Sequence, residues 1–324
     1  MILGIETSCD DTCAAVVTFD GEIRSNVISS QGVHDRYGGV VPEVASRHHL
    51  ELANAVVDDA LAQAGAELDD VELVAMTRGP GLVGALLVGV QTAKAIAGAR
   101  GLPLAAVDHL QGHVAANFLE PEPVAPPFLC LVASGGHTFL ADVAAHHGYE
   151  TLGQTLDDAA GEAIDKGARL LGLPFPGGPH IQREAQGGGS AAFDFPIALR
   201  VPGLDFSFAG LKTALLYKVR DLGEAEAQRR RADLAASYQH AIVEALALRC
   251  ARGLEQTGHD TLAIGGGVAA NGPLRERLAQ LGAKLHVPPR ALCTDNAAMI
   301  ASAARFVEPV AFPDYLGLDA YATA

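Results

Sequence analysis

The sequence predicts an α/β protein of two lobes, and three observations carry that prediction. An apolar run that turns through hydroxyl and small residues into a second apolar run occurs twice. It appears first in Leu3-Gly4-Ile5-Glu6-Thr7-Ser8 with the return Ala14-Ala15-Val16-Val17, then in Phe128–Ser134 with the return Phe139–Val143. Strand and helix patterns alternate between residues 71 and 107, as a βαβ unit requires. A later strand runs into Gly265-Gly266-Gly267 and then a helix. Each hairpin turn offers backbone N–H groups and hydroxyls, a surface suited to phosphate. Two such hairpins predict two related lobes with a nucleotide between them.

In chain order, the first hairpin turns at Cys9-Asp10-Asp11-Thr12. Pro42 in a first turn and Gly65 just past a last turn bracket a helix over 42–64. Val71–Met76 is a buried strand, Gly79-Pro80-Gly81 a turn, Leu82 to about Ala99 a helix and Leu104–Val107 a strand parallel to the previous one. A helix from about Asp108 to Phe118 follows, and the Pro-rich run Glu120–Pro127 is the best linker in the chain. The first lobe is therefore expected over 1–122 and the second over 128–294. A mostly helical insertion at about 156–256 is broken by the loop Leu173–Gly189 and the stretch Phe193–Phe208. Thr261–Ile264 is a strand, about Asn271 begins a helix, Leu285–Val287 is a strand and Asp295–Phe306 a helix. The C-terminal segment 295–324 is expected to pack back on the first lobe.

Composition bounds the function. With 324 residues, 49% hydrophobic and 19% charged, the chain has the means to bury large cores. The best apolar run, Leu82–Ala99, is interrupted by Gln91 and Lys94 and is no membrane span. The opening Met1-Ile2-Leu3-Gly4 lacks the basic residues of a signal peptide and reads as a core strand. Five scattered cysteines predict no disulfide framework, and the cytoplasm is the expected compartment. A net charge of −15 argues against broad, non-specific nucleic-acid affinity, which depends on neutralising phosphates.

His109 and His113 lie four apart in Asp108-His109-Leu110-Gln111-Gly112-His113, so on a helix they share one face within reach of a single metal ion. A pair of helix histidines satisfied by packing is the competing reading. The metalloprotease motif places Glu directly after its first His as general base; Leu110 stands there, which rejects that zinc motif and disfavours a metalloprotease. Asp295 is the candidate third ligand, against a simple helix-capping role for Thr294 or Asp295. Ser134-Gly135-Gly136 reads as a phosphate cradle or an ordinary turn. Gly265–Asn271 reads as a strand–helix turn whose glycines let a ligand reach the backbone. Asp10 and Asp11 are adjacent, so at most one faces a ligand, and turn stabilisation competes. Asp165 could meet ribose hydroxyls or a solvated helix partner. Arg229-Arg230-Arg231 reads as a solvated helix start, with RNA contact as the alternative.

Taken in order along nearly the whole chain, several strings resemble the TsaD family, formerly called Gcp or O-sialoglycoprotein endopeptidase. They are Gly4–Thr12, Gly39–His49, Arg78–Leu82, the His109/His113 segment, Ser134–Thr138, Asp165-Lys166, Phe175–Pro179, Gly266–Asn271 and Thr294–Met299. The resemblance implies a two-lobed actin-like ATPase fold of the sugar-kinase and heat-shock-chaperone type. It also implies an enzyme that moves a threonylcarbamoyl group from threonylcarbamoyl-adenylate onto the exocyclic amine of the adenosine beside the anticodon of tRNAs reading codons that begin with adenine, releasing AMP. By the same resemblance His109, His113 and Asp295 would hold one divalent metal ion, iron or zinc. Val132, Ala133, Ser134, Gly135, Gly136, Asp165, Gly178 and Asn271 would bind the adenylate. Partners of the TsaB and TsaE types, a pseudoenzyme paralogue and a small ATPase, are implied with tRNA.

The chain departs from the family where Asp11 replaces a usual Glu, Gln182 an often acidic residue and Ala209 a usual Ser. Asp11, or else Asp10, is the expected base for the poorly nucleophilic adenine amine. A nucleotide switch or chaperone-like ATPase without transfer chemistry, a sugar kinase and a metalloprotease are the rival readings. Carboxylate-held Mg²⁺ would mark the first of these, whereas a His/His/Asp set suits a transition metal.

Overall fold

Leu3 and Ile5 point to one face of their strand and Gly4 and Glu6 to the other, and this alternation organises the N-terminal unit. The computed structural model describes residues 1–37, 39–197, 201 and 203–322; of the expected break Phe193–Phe208, residues 198–200 and 202 lie outside the described residues. The strands are β1 Ile2–Glu6, β2 Asp11–Val17, β3 Ile23–Ser30, β4 Leu73–Gly79, β5 Leu104–Asp108, β6 Phe128–Ala133, β7 Thr138–Ala145, β8 Gly148–Gln154, β9 Thr261–Gly265 and β10 Lys284–His286. The helices are α1 Pro42–Ala64, α2 Val83–Arg100, α3 His109–Ala115, α4 Ala160–Leu170, α5 Gly177–Ala185, α6 Ala209–Leu222, α7 Glu224–Arg229, α8 Arg231–Thr257, α9 Gly272–Ala279, α10 Arg290–Cys293 and α11 Ala297–Ala304. Two compact units result. The first is Met1–Ala125 with Ala145–Gly148 and Pro288–Ala324; the second is Pro126–Ala144 with Tyr149–Val287.

The first unit holds a five-stranded sheet in the order β3-β2-β1-β4-β5, and the second a sheet in the order β10-β9-β6-β7-β8. Read from the other edge, the second order repeats the first. In each, an antiparallel hairpin (β1–β2, β6–β7) is extended by parallel strands (β4 then β5, β9 then β10). The sequence reading found both hairpins and the βαβ unit. It missed β3, whose mostly half-buried residues give a weak apolar signal, and β8, which is largely polar. The expected loop Leu173–Gly189 contains α5: its Gly- and Pro-rich start hides the helix, but the Asp165 carboxylate accepts from Gly177 N at 2.7 Å and satisfies that terminus. The helix at 108 ends at Ala115 and tightens into a short 3₁₀ turn over Ala116–Phe118. The last helix begins at Ala297 and stops at Ala304.

In the first unit, Leu3, Ile5, Ala14, Val16, Val74 and Met76 form a core with Val56, Val57, Ala60 and Leu61 of α1 and Val90, Ala93 and Ala97 of α2. Burying each of the larger aliphatic side chains contributes about 1.5–3 kcal/mol. The opposite face of the sheet takes α11 and α3. Gly4 permits this: a Cβ there would stand 2.4 Å from the Ala297 carbonyl oxygen and 3.0 Å from Ala301 Cβ. A side chain at residue 112 would likewise meet Ile300 Cδ1 at 2.8 Å, so Gly112 between the two histidines lets α3 lie against α11.

Gly4→Ala must therefore push α11 off β1. We expect a loss of about 2 kcal/mol or more in urea unfolding, the usual scale of forced overpacking; an unchanged midpoint would contradict the close approach.

Candidate active site and metal centre

Asp108 ends β5 and begins α3 by accepting Leu110 N at 2.8 Å and Gln111 N at 3.0 Å through one carboxylate oxygen, which places His109 at the first helical position. Its other oxygen accepts the Tyr321 hydroxyl at 2.6 Å. His113 follows one turn later, and the two imidazole centroids lie 4.7 Å apart at 77°. Across from them, Asn296 takes the N-cap of α11, accepting Met299 N at 2.9 Å, so the capping role weighed for Thr294 and Asp295 belongs to their neighbour. Asp295 Oδ1 lies 3.3 Å from His113 Nε2 and 3.6 Å from His109 Nε2. One donor atom from each of His109, His113 and Asp295 lies within 4.8 Å of the others.

Beneath this cluster lies Glu6, a fully buried carboxylate at the end of β1. Its Oε2 is 3.0 Å from His109 Nδ1 and accepts the Thr77 hydroxyl of β4; its Oε1 accepts Ser8 N. Ser8 Oγ stands 3.2 Å from the same imidazole nitrogen. Burial disfavours a charge on His109, but Glu6 and then Asp295 outweigh it and push the imidazole up to about 9. Burial likewise works to raise the Glu6 carboxyl, and the facing His109 holds it below its usual range instead. The two shifts share one cause, an imidazole and a carboxylate 3.0 Å apart that each favour the other's charged form.

The donor set fits a divalent transition ion. Two imidazoles and a carboxylate are the ligands such ions take. Both ring nitrogens of His113 are buried and lack a hydrogen-bond partner among the described residues, a cost that a metal bond to one of them would relieve. The nearby thiols do not join the set. Burial, with the carboxylates of the hairpin turn and Asp295 adding to it, pushes Cys9 and Cys13 well above the usual thiol range, and Cys13 Sγ donates to the Asp295 backbone oxygen at 3.8 Å.

The first turn is held from α1 and β3, and Asp11 opens β2. Thr12 faces α1, where its hydroxyl meets His49 Nδ1 at 2.8 Å, and His49 Nε2 is 3.0 Å from the Cys9 carbonyl oxygen, so one α1 histidine grips both ends of the turn. Asp11 shares the opposite face with Cys13, toward Asp295. Burial pushes its carboxyl up to about 6 against a hydrogen bond from Ser30, and Asp295, Asp10 and Glu6 push the same way. The Asp10 backbone oxygen accepts Gln31 N at 3.2 Å and pins the turn to the end of β3.

The remaining candidates all fall in the second unit. Val132 and Ala133 are buried at the end of β6. Ser134 closes the hairpin by accepting His137 N on its hydroxyl at 3.1 Å and donating its own N–H to the His137 carbonyl at 2.8 Å, which leaves Gly135 and Gly136 exposed at the tip. The α4 N-terminus abuts this turn through Gly161 N to Ser134 O at 3.0 Å. Gly266, at φ 83°, brings the β9 turn against the Ala133 carbonyl, where a Cβ would stand 2.4 Å away. Nothing would obstruct a Cβ at Gly135, Gly136 or Gly178, so those backbones face open space.

Asp165 and Asn271 carry structural bonds. Burial raises the Asp165 carboxyl despite its bond from Gly177. Asn271 caps α9 by accepting Leu274 N at 3.0 Å and donates to Gln239 at 2.9 Å. Gln182, where relatives are often acidic, accepts Gly272 N at 3.0 Å. Arg229, Arg230 and Arg231 pair with Glu226, Asp233 and Glu184, which favours the structural reading of that run. The sequence reading gave no role to Glu6, His49 or Gln239; the one available signal was an ionisable residue closing an otherwise apolar strand, Ile2–Glu6.

Comparison with known proteins identifies close relatives. A family model described as TsaD, tRNA N6-adenosine threonylcarbamoyltransferase, matches residues 22–302. The chain is 50% identical over 312 residues to the tRNA N6-adenosine threonylcarbamoyltransferase of Clostridium perfringens strain SM101, covering 94% of this chain and 92% of that protein. It is 49% identical over 311 residues to the protein of the same name from Clostridium botulinum strain 657, with the same coverage. Among solved structures, the activator of the 2-hydroxyisocaproyl-CoA dehydratase from Clostridium difficile with bound ADPNP is similar at a TM-score of 0.53 and 14% identity, over 94% of this chain and 93% of that one. Full-length HypF in its phosphate- and nucleotide-bound form is similar at 0.60 and 13%, over all of this chain and 56% of that one. The repeated sheet order and these likenesses establish the actin-like ATPase fold.

The raised Asp11 carboxyl has a measurable consequence. A folded-state value near 6, above the ordinary 3.8, means that ionising Asp11 costs stability; the cost is complete above pH 6 and fades toward pH 4. Two pKa units correspond to about 3 kcal/mol before solvent screening. Metal-stripped Asp11→Asn should therefore be more stable than the parent by about 1–3 kcal/mol at pH 7.5, the gap narrowing by more than half near pH 4.5. Equal unfolding midpoints at pH 7.5 would refute the assignment.

Proposed function

The chain belongs to the TsaD family of tRNA N6-adenosine threonylcarbamoyltransferases, and from that premise we propose that it takes the threonylcarbamoyl group from threonylcarbamoyl-adenylate, with His109, His113 and Asp295 as ligands of a divalent metal. As a family member it is an acyltransferase whose substrate is tRNA. The observation that carries the metal assignment is the His109/His113/Asp295 cluster with its unsatisfied imidazole. Iron is the metal expected from the family, and the same ligands suit zinc. When bound, such an ion supplies charge neutralisation for the phosphate and carbonyl oxygens of a mixed anhydride.

The chain's own residues account for the rest. The exposed amides of the Ser134–Gly136 turn and the open backbone at Gly178 are suited to the phosphate and nucleoside of the adenylate. Asp165 and Asn271, fixed by their bonds to Gly177 and Leu274, hold the neighbouring loops in shape. The exocyclic nitrogen of the adenosine attacks the carbamoyl carbon; a C–N bond forms, the bond from that carbon to the phosphate oxygen breaks, and AMP leaves with the electron pair. The proton lost by the nitrogen passes to Asp11, whose raised pKa makes it a better acceptor than an ordinary carboxylate. Asp10, in the same turn, is the alternative acceptor.

The target adenosine must leave the anticodon-loop stack to react. A chain with net charge −15 gains little from general phosphate attraction, which favours help in holding tRNA from partners such as the family's pseudoenzyme paralogue and small ATPase. Among the described residues no helix is long and apolar enough to cross a membrane, and a tRNA substrate favours the cytoplasm as the place of action.

The test is reconstitution. Protein and partners are supplied with threonylcarbamoyl-adenylate and unmodified tRNA, and the modified nucleoside is measured by mass. His109→Ala with His113→Ala should lose bound metal and slow transfer by about 100-fold or more, the scale seen when a positioned electrostatic group is removed. Full metal content and full turnover in that double variant would overturn the assignment.

A further inference from the structure

Three donors converge on Glu6. Its Oε1 accepts Ser8 N, and its Oε2 faces both the Thr77 hydroxyl and His109 Nδ1, the last at 3.0 Å. An ionised carboxylate is the side chain that accepts from all three, since a protonated acid or an amide would turn a hydrogen toward one of the donors. Glu6 is wholly buried, at the end of β1.

From this geometry we propose that Glu6 is a positioning residue for the metal centre: it keeps the proton of His109 on Nδ1, so that the Nε2 lone pair faces Asp295 and the bound ion. A histidine that ligates metal through one nitrogen commonly donates its other N–H to a carboxylate, which orients the ring and increases its basicity as a ligand. His109 has that partner. His113 lacks one among the described residues, both of its ring nitrogens being unsatisfied. The two ligands therefore differ: His109 is pre-oriented by the sheet, whereas His113 is held by packing within α3. Because Thr77 belongs to β4 and Ser8 follows β1, the orientation of His109 depends on two adjacent parallel strands.

The inference rests on the proposed metal site, and one titration separates the two. Zn²⁺ affinity is measured by competition with a chromophoric chelator for the parent chain, Glu6→Gln and Glu6→Asp, alongside each unfolding midpoint. The parent should bind one Zn²⁺. Glu6→Gln, nearly isosteric, should keep a cooperative unfolding transition and bind about 10- to 100-fold more weakly, and Glu6→Asp, with the charge retained but drawn back by one methylene, should fall between. A purely structural role would move the midpoints without changing the affinity of the folded fraction. Parent-like Zn²⁺ affinity in folded Glu6→Gln, or in Glu6→Asp if the amide variant does not fold, overturns the role of Glu6 and leaves the metal site intact. A parent chain that binds no Zn²⁺ sinks the site itself.

Discussion

Backbone contact between α11 and β1 at Gly4 is the constraint on which the first unit's chemistry depends. Because no side chain separates the Ala297 carbonyl from the strand, the start of α11 lies directly on the sheet, and the residues that precede it inherit that position. Asp295 is two residues upstream and reaches His113 at 3.3 Å, although 182 positions separate them in sequence. Gly112 plays the matching part on α3, giving room to Ile300. Two absent side chains thus set the distance between a pair of imidazoles and a carboxylate.

Strand alternation then sorts the polar groups. Along β1 and β2, one face sends Leu3, Ile5, Ala14 and Val16 into the core under α1 and α2, while the other carries Gly4, Glu6, Asp11 and Cys13 toward α3 and α11. Burial raises the carboxyls of that second face and their mutual repulsion adds to it, unless a facing imidazole offsets both, which explains the opposite displacements of Glu6 and Asp11. Glu6 has His109 against it and stays ionised; Asp11, with a hydrogen bond from Ser30 set against burial and three carboxylates, resists losing its proton. The same face can therefore hold one carboxylate as an anchor and another as an acceptor.

Much of the fold was legible because hairpins, helix bounds and the βαβ unit leave short-range marks, such as Pro42 at a helix start or Gly65 at φ 62° beyond its end. The His109/His113 pair was legible for the same reason, one helical turn being a local relation. Asp295 was open to two readings, third ligand or helix cap, because nothing local ties it to α3, and the resemblance favoured the first. Glu6 sat in a quoted string without a role because its partners, Thr77 and His109, lie 71 and 103 residues away. The start of α5 was obscured by glycine and proline, whose helix-breaking tendency is offset by a carboxylate from another helix. Asp165 and Asn271, expected as ligand contacts, also accept Gly177 N and Leu274 N, bonds that spacing alone does not reveal.

The equivalent order of the two sheets makes the β1–β2 and β6–β7 turns counterparts, yet they have diverged to opposite polarity. One collects carboxylates, Asp10 and Asp11, with Glu6 just before it; the other exposes the bare amides of Gly135 and Gly136. If one ancestral half was copied, a handful of replacements in a single loop sufficed to make one turn acidic and leave the other a run of exposed amides. One strand order thus carries turns of opposite polarity, so loop positions can change the chemistry while the sheets stay as they are.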